Sequence, residues 1–432
     1  MLKVGIKVLG CPKNIADCEI LAGLLKKKGY QIVKSAEEAD LVIIDTCTFI
    51  EDAKRETIDT ILDFVYYKEK RKDLKIAVKG CMVQRYYKEL KKELPEVDMW
   101  FGVVNPVEIA EAIEKEMDVV KKEPFPIYDS YNRENLEDTP YAYVKIGDGC
   151  DRKCTFCAIP LFKGRYRSRS IDIVKKEVEE LVNSGKKEIV LVSQDSTAYG
   201  TDIYGEQSLP TLLYELNRIK GDFWIRVMYL HPDYLTDKIV HAISSLEKIV
   251  PYFDVPIQHG SDHILKRMGR IKKRDELTEL FEKIRASHKD ATIRTTVMVG
   301  FPGEREKDFE DLMDILEKIH PDRMGVFVYS DEEGTVASKF EDKVKEVVAK
   351  EREEIILKLT IDLMRKSNER FIGRKVKAIA ECEDEEVHLR SFFDAPEIDG
   401  YIIVNEKITP GDFYYVKITD VSELCTEGEI IG

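Results

Sequence analysis

Residues 143–166, YVKIGDGCDRKCTFCAIPLFKGRY, place Cys150, Cys154 and Cys157 in a C-x3-C-x2-C spacing right after an apolar run, 143–146, that reads as a strand. Three thiolates within eight residues converge on one centre only if the backbone loops around it. Gly147, Asp148 and Gly149 are the turn-forming residues such a loop requires. Zinc sites and ordinary ferredoxin clusters take four protein ligands. Three ligands in a tight loop therefore predict a [4Fe–4S] cluster with one iron left open for another molecule. The competing arrangement is a three-cysteine zinc site completed by a distant histidine; the next histidine along the chain is His231.

With Phe156 just before the third cysteine, the spacing resembles the signature of the radical S-adenosylmethionine (SAM) superfamily. That resemblance implies that the open iron chelates the amino and carboxylate groups of SAM. Reduction by one electron then breaks a C–S bond, leaving methionine and a 5′-deoxyadenosyl radical.

A chain of 432 residues exceeds one ordinary core, and at roughly 150 residues per domain it predicts about three domains. A hydrophobic content of 43% with 35% charged residues describes a globular protein and excludes a disordered one. No apolar run approaches the ~20 residues that span a bilayer, so no membrane partner is expected. The opening MLKVGIKVLGC is broken by Lys7 and reads as a strand, not a lipoprotein signal. Nine cysteines without a secretion signal argue for the reducing cytoplasm and for metal ligation over disulfides. A net charge of −14 makes direct nucleic acid binding an unfavourable role, since phosphates need a basic surface.

Residues 1–125 alternate β-type runs (3–9, 41–45, 75–79) with helical ones (14–28, 52–67), which predicts a doubly wound parallel α/β domain. Each strand ends at a cysteine: Cys11 in LGCPKN, Cys47 in DTCTF and Cys81 in KGCMV. Open α/β sheets bind ligands at the carboxyl ends of their strands. Any one of these thiols alone reads as a small buried side chain. Three at equivalent strand ends, each beside Gly or Thr, read as the ligands of a second cluster. Cys18, on the first helix, reads as packing.

Residues 126–139 read as a linker, within a stretch rich in Pro, Asn and charge. Six β-type runs follow (143–146, 188–193, 224–229, 253–257, 292–299, 324–329), with helices between them. Over 140–368 they predict an open (β/α)6 partial barrel with its chemistry at the strands' C-terminal mouth. Gln194, Asp195, Arg226, Gln258 and His259 are candidates to line that mouth, although polar residues at strand ends also serve as helix caps. Gly300-Phe301-Pro302-Gly303-Glu304 resembles a loop after the fifth strand of many radical SAM enzymes, where glycine lets backbone approach SAM. Phe156, Gln194 and Gly300 are thus the candidate SAM contacts. The basic stretch 163–169 holds carboxylates, couples to the first domain's cluster, or is a solvated loop.

Residues 344–371 read as a long helix leading out of the barrel, and 369–432 turn β-rich, predicting a small five-strand-type β-barrel. This barrel resembles a TRAM domain. Between Gly373 and Gly432, 6 Lys and Arg stand against 14 Asp and Glu, a net −8 that repels phosphates and suits a strongly basic protein. Cys382 and Cys425 read as structural.

The order Cys11, Cys47, Cys81 and then the C-x3-C-x2-C triplet resembles the radical SAM methylthiotransferase family from end to end. CAIPLFKGRYRSR, VSQDSTAYGTD, MYLHP and DAPEIDG resemble its branch that modifies a small-subunit ribosomal protein, ribosomal protein S twelve. The alternatives are the tRNA adenosine methylthiotransferases, whose C-x-F-C-x-x-P-Y-x-R-G-x-E pattern is missing here, and a non-enzymatic iron–sulfur electron carrier. The resemblance implies two [4Fe–4S] clusters, SAM as methyl donor and radical source, a one-electron reductant, and methylthio insertion at the β-carbon of an aspartate. Radical chemistry on an unactivated C–H bond belongs to the cofactor, and the side chains hold and shield it.

Overall fold

The computed structural model describes residues 1–431 apart from 49, 126, 129–131, 384–385 and 423. The first domain is built on β1 (Lys3–Val8), β2 (Gln31–Val33), β3 (Leu41–Thr46), β4 (Lys75–Gly80) and β5 (Met99–Phe101). They form one sheet in the order β2-β1-β3-β4-β5, parallel throughout. Central β3 is buried at every residue, which explains why LVIIDT shows no alternation. Helices α1 (Pro12–Lys27), α2 (Glu51–Lys70), α3 (Cys81–Glu93) and α4 (Pro106–Lys115) cover both faces, and each face has its own apolar core. The edge strands β2 and β5 escaped the sequence reading because three residues are too few to display a period.

Of the expected linker, Pro126, Asp129, Ser130 and Tyr131 lie outside the described residues. Val119 and Phe125 bridge to Phe101 and Val104, extending the sheet edge. Arg133 then sits buried between Glu19 of α1 and Glu177 of the central domain, tying the two together.

The central domain opens with β6 (Tyr141–Lys145). A two-residue ladder of β7 (Gly147–Asp148) with β8 (Arg167–Ser168) encloses α5 (Ile159–Lys163). Then α6 (Ile171–Asn183), β9 (Glu188–Val192), α7 (Leu209–Asn217), β10 (Trp224–Val227), α8 (Asp237–Ser245) and β11 (Tyr252–Asp254) follow. The series closes with α9 (Asp262–Arg267), α10 (Arg274–Ser287), β12 (Thr292–Val299), α11 (Glu306–Ile319), β13 (Arg323–Val328) and α12 (Glu346–Glu369). Parallel sheets β10-β9-β6 and β11-β12-β13 join through the Ile225–Ile249 bridge, making a six-strand arc with β6 and β13 at its edges. The first domain spans the opening. Ile15 and Ala16 of α1 pack on the β6 side, whereas Arg85 and Lys54 reach Glu332, just past β13, at 2.7 and 3.0 Å.

The C-terminal residues close a barrel from β14 (Lys375–Glu383), β15 (Glu386–Ser391), β16 (Ile402–Val404), β17 (Phe413–Val421) and β18 (Thr426–Ile430). This barrel is fixed beneath the arc, at the strands' N-terminal ends. Arg390 pairs with Glu188 at 2.5 Å, Arg323 with Asp394 at 2.7 Å, and the Tyr252 hydroxyl donates to Asp399 at 2.5 Å. The Trp224 and Phe413 rings meet at 5.0 Å. Several acids counted in the −8 charge are therefore consumed in this joint, while Glu406, Asp412, Asp420, Glu427 and Glu429 remain exposed. Cys382 is exposed on β14 and Cys425 half-buried, so neither is a core thiol.

Candidate active site between two cysteine trios

Past β6 the backbone folds into the loop that carries the second trio. Gly149 adopts a φ of +79°, and a Cβ there would stand 2.1 Å from the Arg165 carbonyl oxygen, so only glycine closes the turn. The Cys150 N–H donates to the Gly164 carbonyl at 3.1 Å, and the Cys157 N–H to the Cys154 carbonyl at 3.2 Å. Between them the Thr155 N–H is anchored on the Met268 carbonyl at 3.0 Å, and its hydroxyl on Arg267 at 2.7 Å. Burial pushes the Cys150 thiol up to about 11 and the Cys157 thiol up to about 12, and the neighbouring sulfurs add to both shifts. Thiolates form in such a place only with a cation to hold them. Arg152 leaves the loop to pair with Asp195 at 2.5 Å and to stack on Tyr234.

The first trio is assembled from three separate strand ends. Cys11 caps α1, Cys81 opens α3, and Cys47 precedes α2, so each thiol sits at or near the positive end of a helix. Asn14 stitches the first two loops together, donating to the carbonyls of Leu9 at 3.2 Å and Thr46 at 3.4 Å. The Thr46 hydroxyl ties in the third, donating to the Lys79 carbonyl at 2.7 Å and accepting from the Met82 N–H at 3.3 Å. A side chain on Gly10 would collide with Cys47, and one on Gly80 with Thr46. Burial raises Cys81 to about 12, with Cys11 and Cys47 reinforcing the shift and Lys163 opposing it. Among the described residues, no three His, Cys, Asp or Glu side chains close on a single ion.

The two trios face one interface. Cys81 shares an apolar cluster with Val103, Ala158 and Phe162, the last two lying just beyond Cys157. Behind it, Lys163 reaches Asp148 at 3.3 Å, Asp148 pairs with Lys145 at 3.0 Å, and Lys145 with Asp17 at 2.5 Å. Burial opposes the Asp148 charge, but Lys163 and Lys145 outweigh it and hold the carboxyl well below its ordinary range. Beyond β10, Tyr229 lies under the Lys13 ammonium, with Nζ 4.1 Å from the ring centroid. Two residues later, His231 Nε2 stands 3.8 Å from Cys154 Sγ. One short segment thus reaches Lys13, two residues past Cys11, and Cys154 of the second trio.

Family comparisons agree with this architecture. Residues 3–102 match Uncharacterized protein family UPF0004, 144–316 the Radical SAM superfamily, and 372–431 a TRAM domain. A ribosomal protein uS12 methylthiotransferase RimO of Thermotoga sp. (strain RQ2) is 54% identical over 430 residues, covering 99% of this chain and all of the relative. Those of Thermotoga maritima and Pseudothermotoga lettingae are 53% and 54% identical, covering 100% of both chains. This chain belongs to the RimO methylthiotransferase family.

Among solved structures, the radical SAM methyltransferase TsrM of Kitasatospora setae is similar at a TM-score of 0.59 and 13% identity, over 76% of this chain and 73% of that one. The cobalamin-dependent radical SAM enzyme OxsB gives 0.54 at 13% identity, over 82% and 56%. These likenesses concern the fold.

For a RimO-family chain the donor chemistry can be tested against the cofactors its superfamily carries, an iron–sulfur cluster and SAM. The C-x3-C-x2-C trio offers sulfur alone, in one closed loop. The other candidate ligand, His231, is engaged: Nδ1 faces the Asp233 N–H at 3.3 Å and Nε2 the Arg270 guanidinium at 2.9 Å. Burial above all, with Arg270 and Arg152 adding to it, lowers this imidazole to about 2 and keeps it neutral. Beside the loop, Gln194 Oε1 is buried and has no hydrogen-bond partner among the described residues, an acceptor suited to an ammonium. The residues fit.

The other residues singled out in the sequence have the following surroundings. The Phe156 ring packs with Met268, Phe301 and Ala337. Gly300 is required by α12, because a Cβ there would lie 2.5 Å from Ala349 Cβ. Arg226 does not line the mouth; it points to the arc's floor, pairing with Glu188 at 2.7 Å and donating to the Phe392 carbonyl at 2.9 Å. His259 is buried beside Ser261, whose N–H donates to Nδ1 at 3.0 Å. The basic stretch is no solvated loop, since Lys163 and Arg169 are buried, Arg169 against Glu177 at 2.6 Å. Cys18 is a core thiol that accepts from Lys79 at 3.5 Å. Lys13 and Tyr229 carry no role in the sequence reading, where only the motifs LGCPKN and MYLHP hint at them, and His231 enters it only as the distant histidine of the zinc alternative.

Proposed function

We propose that this chain transfers a methylthio group to the β-carbon of an aspartate in ribosomal protein uS12, in the cytoplasm, drawing on a one-electron reductant. In this reading Cys150, Cys154 and Cys157 hold one [4Fe–4S] cluster and Cys11, Cys47 and Cys81 a second. When bound, one cluster would relay the reductant's electron to SAM, which would supply the radical and the methyl group, and the other would carry the sulfur to be transferred. The observation that carries the reading is the segment from Tyr229 to His231, which reaches Lys13 beside Cys11 at one end and Cys154 at the other.

The chain's own residues do the holding. Loop hydrogen bonds around Thr155 and the Gly149 turn fix the second trio, while Asn14 and Thr46 fix the first. Gln194 Oε1, a buried acceptor, would accept from the SAM amino group, and the apolar set around Phe156 and Phe301 would keep water from the loop. The exposed acids of the C-terminal barrel favour a basic ribosomal protein over a phosphate backbone.

Anaerobic incubation of the iron-loaded chain with SAM, reductant and either uS12 or tRNA tests the proposal. A methylthio adduct on uS12 by mass spectrometry, with about eight irons per chain, is the expected result. Modified tRNA with untouched uS12 would overturn it.

A further inference from the structure

Four lysines are buried where the trios meet: Lys13, Lys79, Lys145 and Lys163. Three have carboxylates in place. Lys79 pairs with Asp45 at 2.7 Å, Lys145 with Asp17 at 2.5 Å and Asp148 at 3.0 Å, and Lys163 with Asp148 at 3.3 Å. Lys13 differs. It is 7% exposed, yet among the described residues no carboxylate lies within ion-pair distance of its ammonium, which rests instead on the Tyr229 ring. An aromatic face orients a cation without neutralising it. With the ring and the neighbouring Cys11 sulfur acting on it but no carboxylate in contact, this buried charge is free to pair with an anion from outside.

The surroundings suit a visiting anion. Lys13 lies two residues past Cys11, in the first turn of α1. Tyr229 is held at a φ of +63°, a left-handed conformation uncommon for a bulky residue, and its N–H is fixed by the Asp254 carboxylate at 2.9 Å. That conformation presents the ring to Lys13 while His231 turns toward Cys154. Lys13 therefore stands beside Cys11, over a ring whose segment runs on to His231 and Cys154.

We infer that Lys13 receives the carboxylate of the substrate aspartate, pinning the side chain so that its β-carbon, one bond away, is fixed between the two trios. This rests on the reading of the substrate given above. Lys13 acts by charge and position alone and forms no covalent bond. A carboxylate also belongs to SAM, and the test separates the two sources.

The iron-loaded chain, its Lys13→Gln and its Lys13→Arg variants are compared anaerobically, in the presence of SAM, for affinity toward labelled uS12. The second ligand is uS12 carrying asparagine at the modified aspartate. The parent chain is expected to prefer aspartate by about tenfold or more, as for hydrogen bonds to charged groups. Lys13→Gln binds both forms alike, Lys13→Arg keeps part of the preference, and iron content and SAM affinity stay at the parent level in both. Undiminished discrimination in Lys13→Gln overturns the inference, as does a parent chain that never discriminates. Weakened SAM binding with discrimination intact assigns Lys13 to the SAM carboxylate and overturns it too. Iron lost from Lys13→Gln and retained in Lys13→Arg assigns the charge to the cluster and likewise overturns the inference. Failure of the parent chain to modify uS12 at all removes the functional reading itself, a result distinct from each of these.

Discussion

The two cysteine trios reach similar ends by opposite means. Cys150, Cys154 and Cys157 are neighbours in sequence, and their spacing is set by hydrogen bonds inside a single loop. Cys11, Cys47 and Cys81 are strangers in sequence, gathered by the register of β1, β3 and β4 and by two side chains, Asn14 and Thr46. The local trio depends on backbone turns, and the dispersed one on the integrity of a whole sheet. On the proposed reading the two trios can thus be damaged separately, although they share an interface.

The sharpest test of that separation is Cys150→Ala against Cys47→Ala. The first is expected to abolish 5′-deoxyadenosine formation, and the second to leave SAM cleavage while abolishing methylthio transfer, both read by anaerobic chromatography with mass detection. Equal losses would erase the distinction. Next come the hinges of each trio. Gly149→Ala and Gly80→Ala should each cost about half of the bound iron, from their own trio only, by iron assay and Mössbauer spectroscopy. Cross-loss would show the loops to be mechanically coupled.

Away from both trios, Arg390→Met strips a buried partner from Glu188 and Glu381 and should cost about 3–5 kcal/mol in chemical denaturation, with iron content unchanged. The smallest effect concerns Asp308. Burial pushes its carboxyl up, but hydrogen bonds from the Ser261 hydroxyl, the Arg305 N–H and His263 outweigh that and hold it at about 2, below the ordinary 3.8. Between about pH 4 and pH 2 the unfolded chain takes up the proton more readily, so stability falls as pH drops through that window. The loss should be under about 1 kcal/mol, because Arg305 and His263 are themselves exposed. In Asp308→Asn the acid limb of the thermal midpoint should flatten accordingly.

The same contrast governs what could be read before the fold was known. An eight-residue window contains the whole pattern of the second trio. The first trio needed the alternation of strands and helices, which puts all three cysteines at the same sheet edge. Neither route reaches the approach of Lys13 to Tyr229, 216 positions apart, because that depends on how the first domain docks across the arc. Arg226 was misplaced for a related reason: a strand's sequence shows that a residue faces inward, but not whether it leans toward the mouth or the floor. Gly300 was singled out, yet the crowding that demands it comes from α12, about 50 positions further on.

The C-terminal barrel is bolted to the strand beginnings through Arg390, Arg323 and Asp399, whereas every cysteine of the two trios lies at the strand finishes. Strands of three to eight residues put roughly 10–26 Å of protein between those levels. A client gripped by the barrel's acidic outer wall must therefore be tall enough to wrap around the rim and lower one extended finger into the mouth. On the proposed reading, short peptides bearing only the target residue would forfeit that handle.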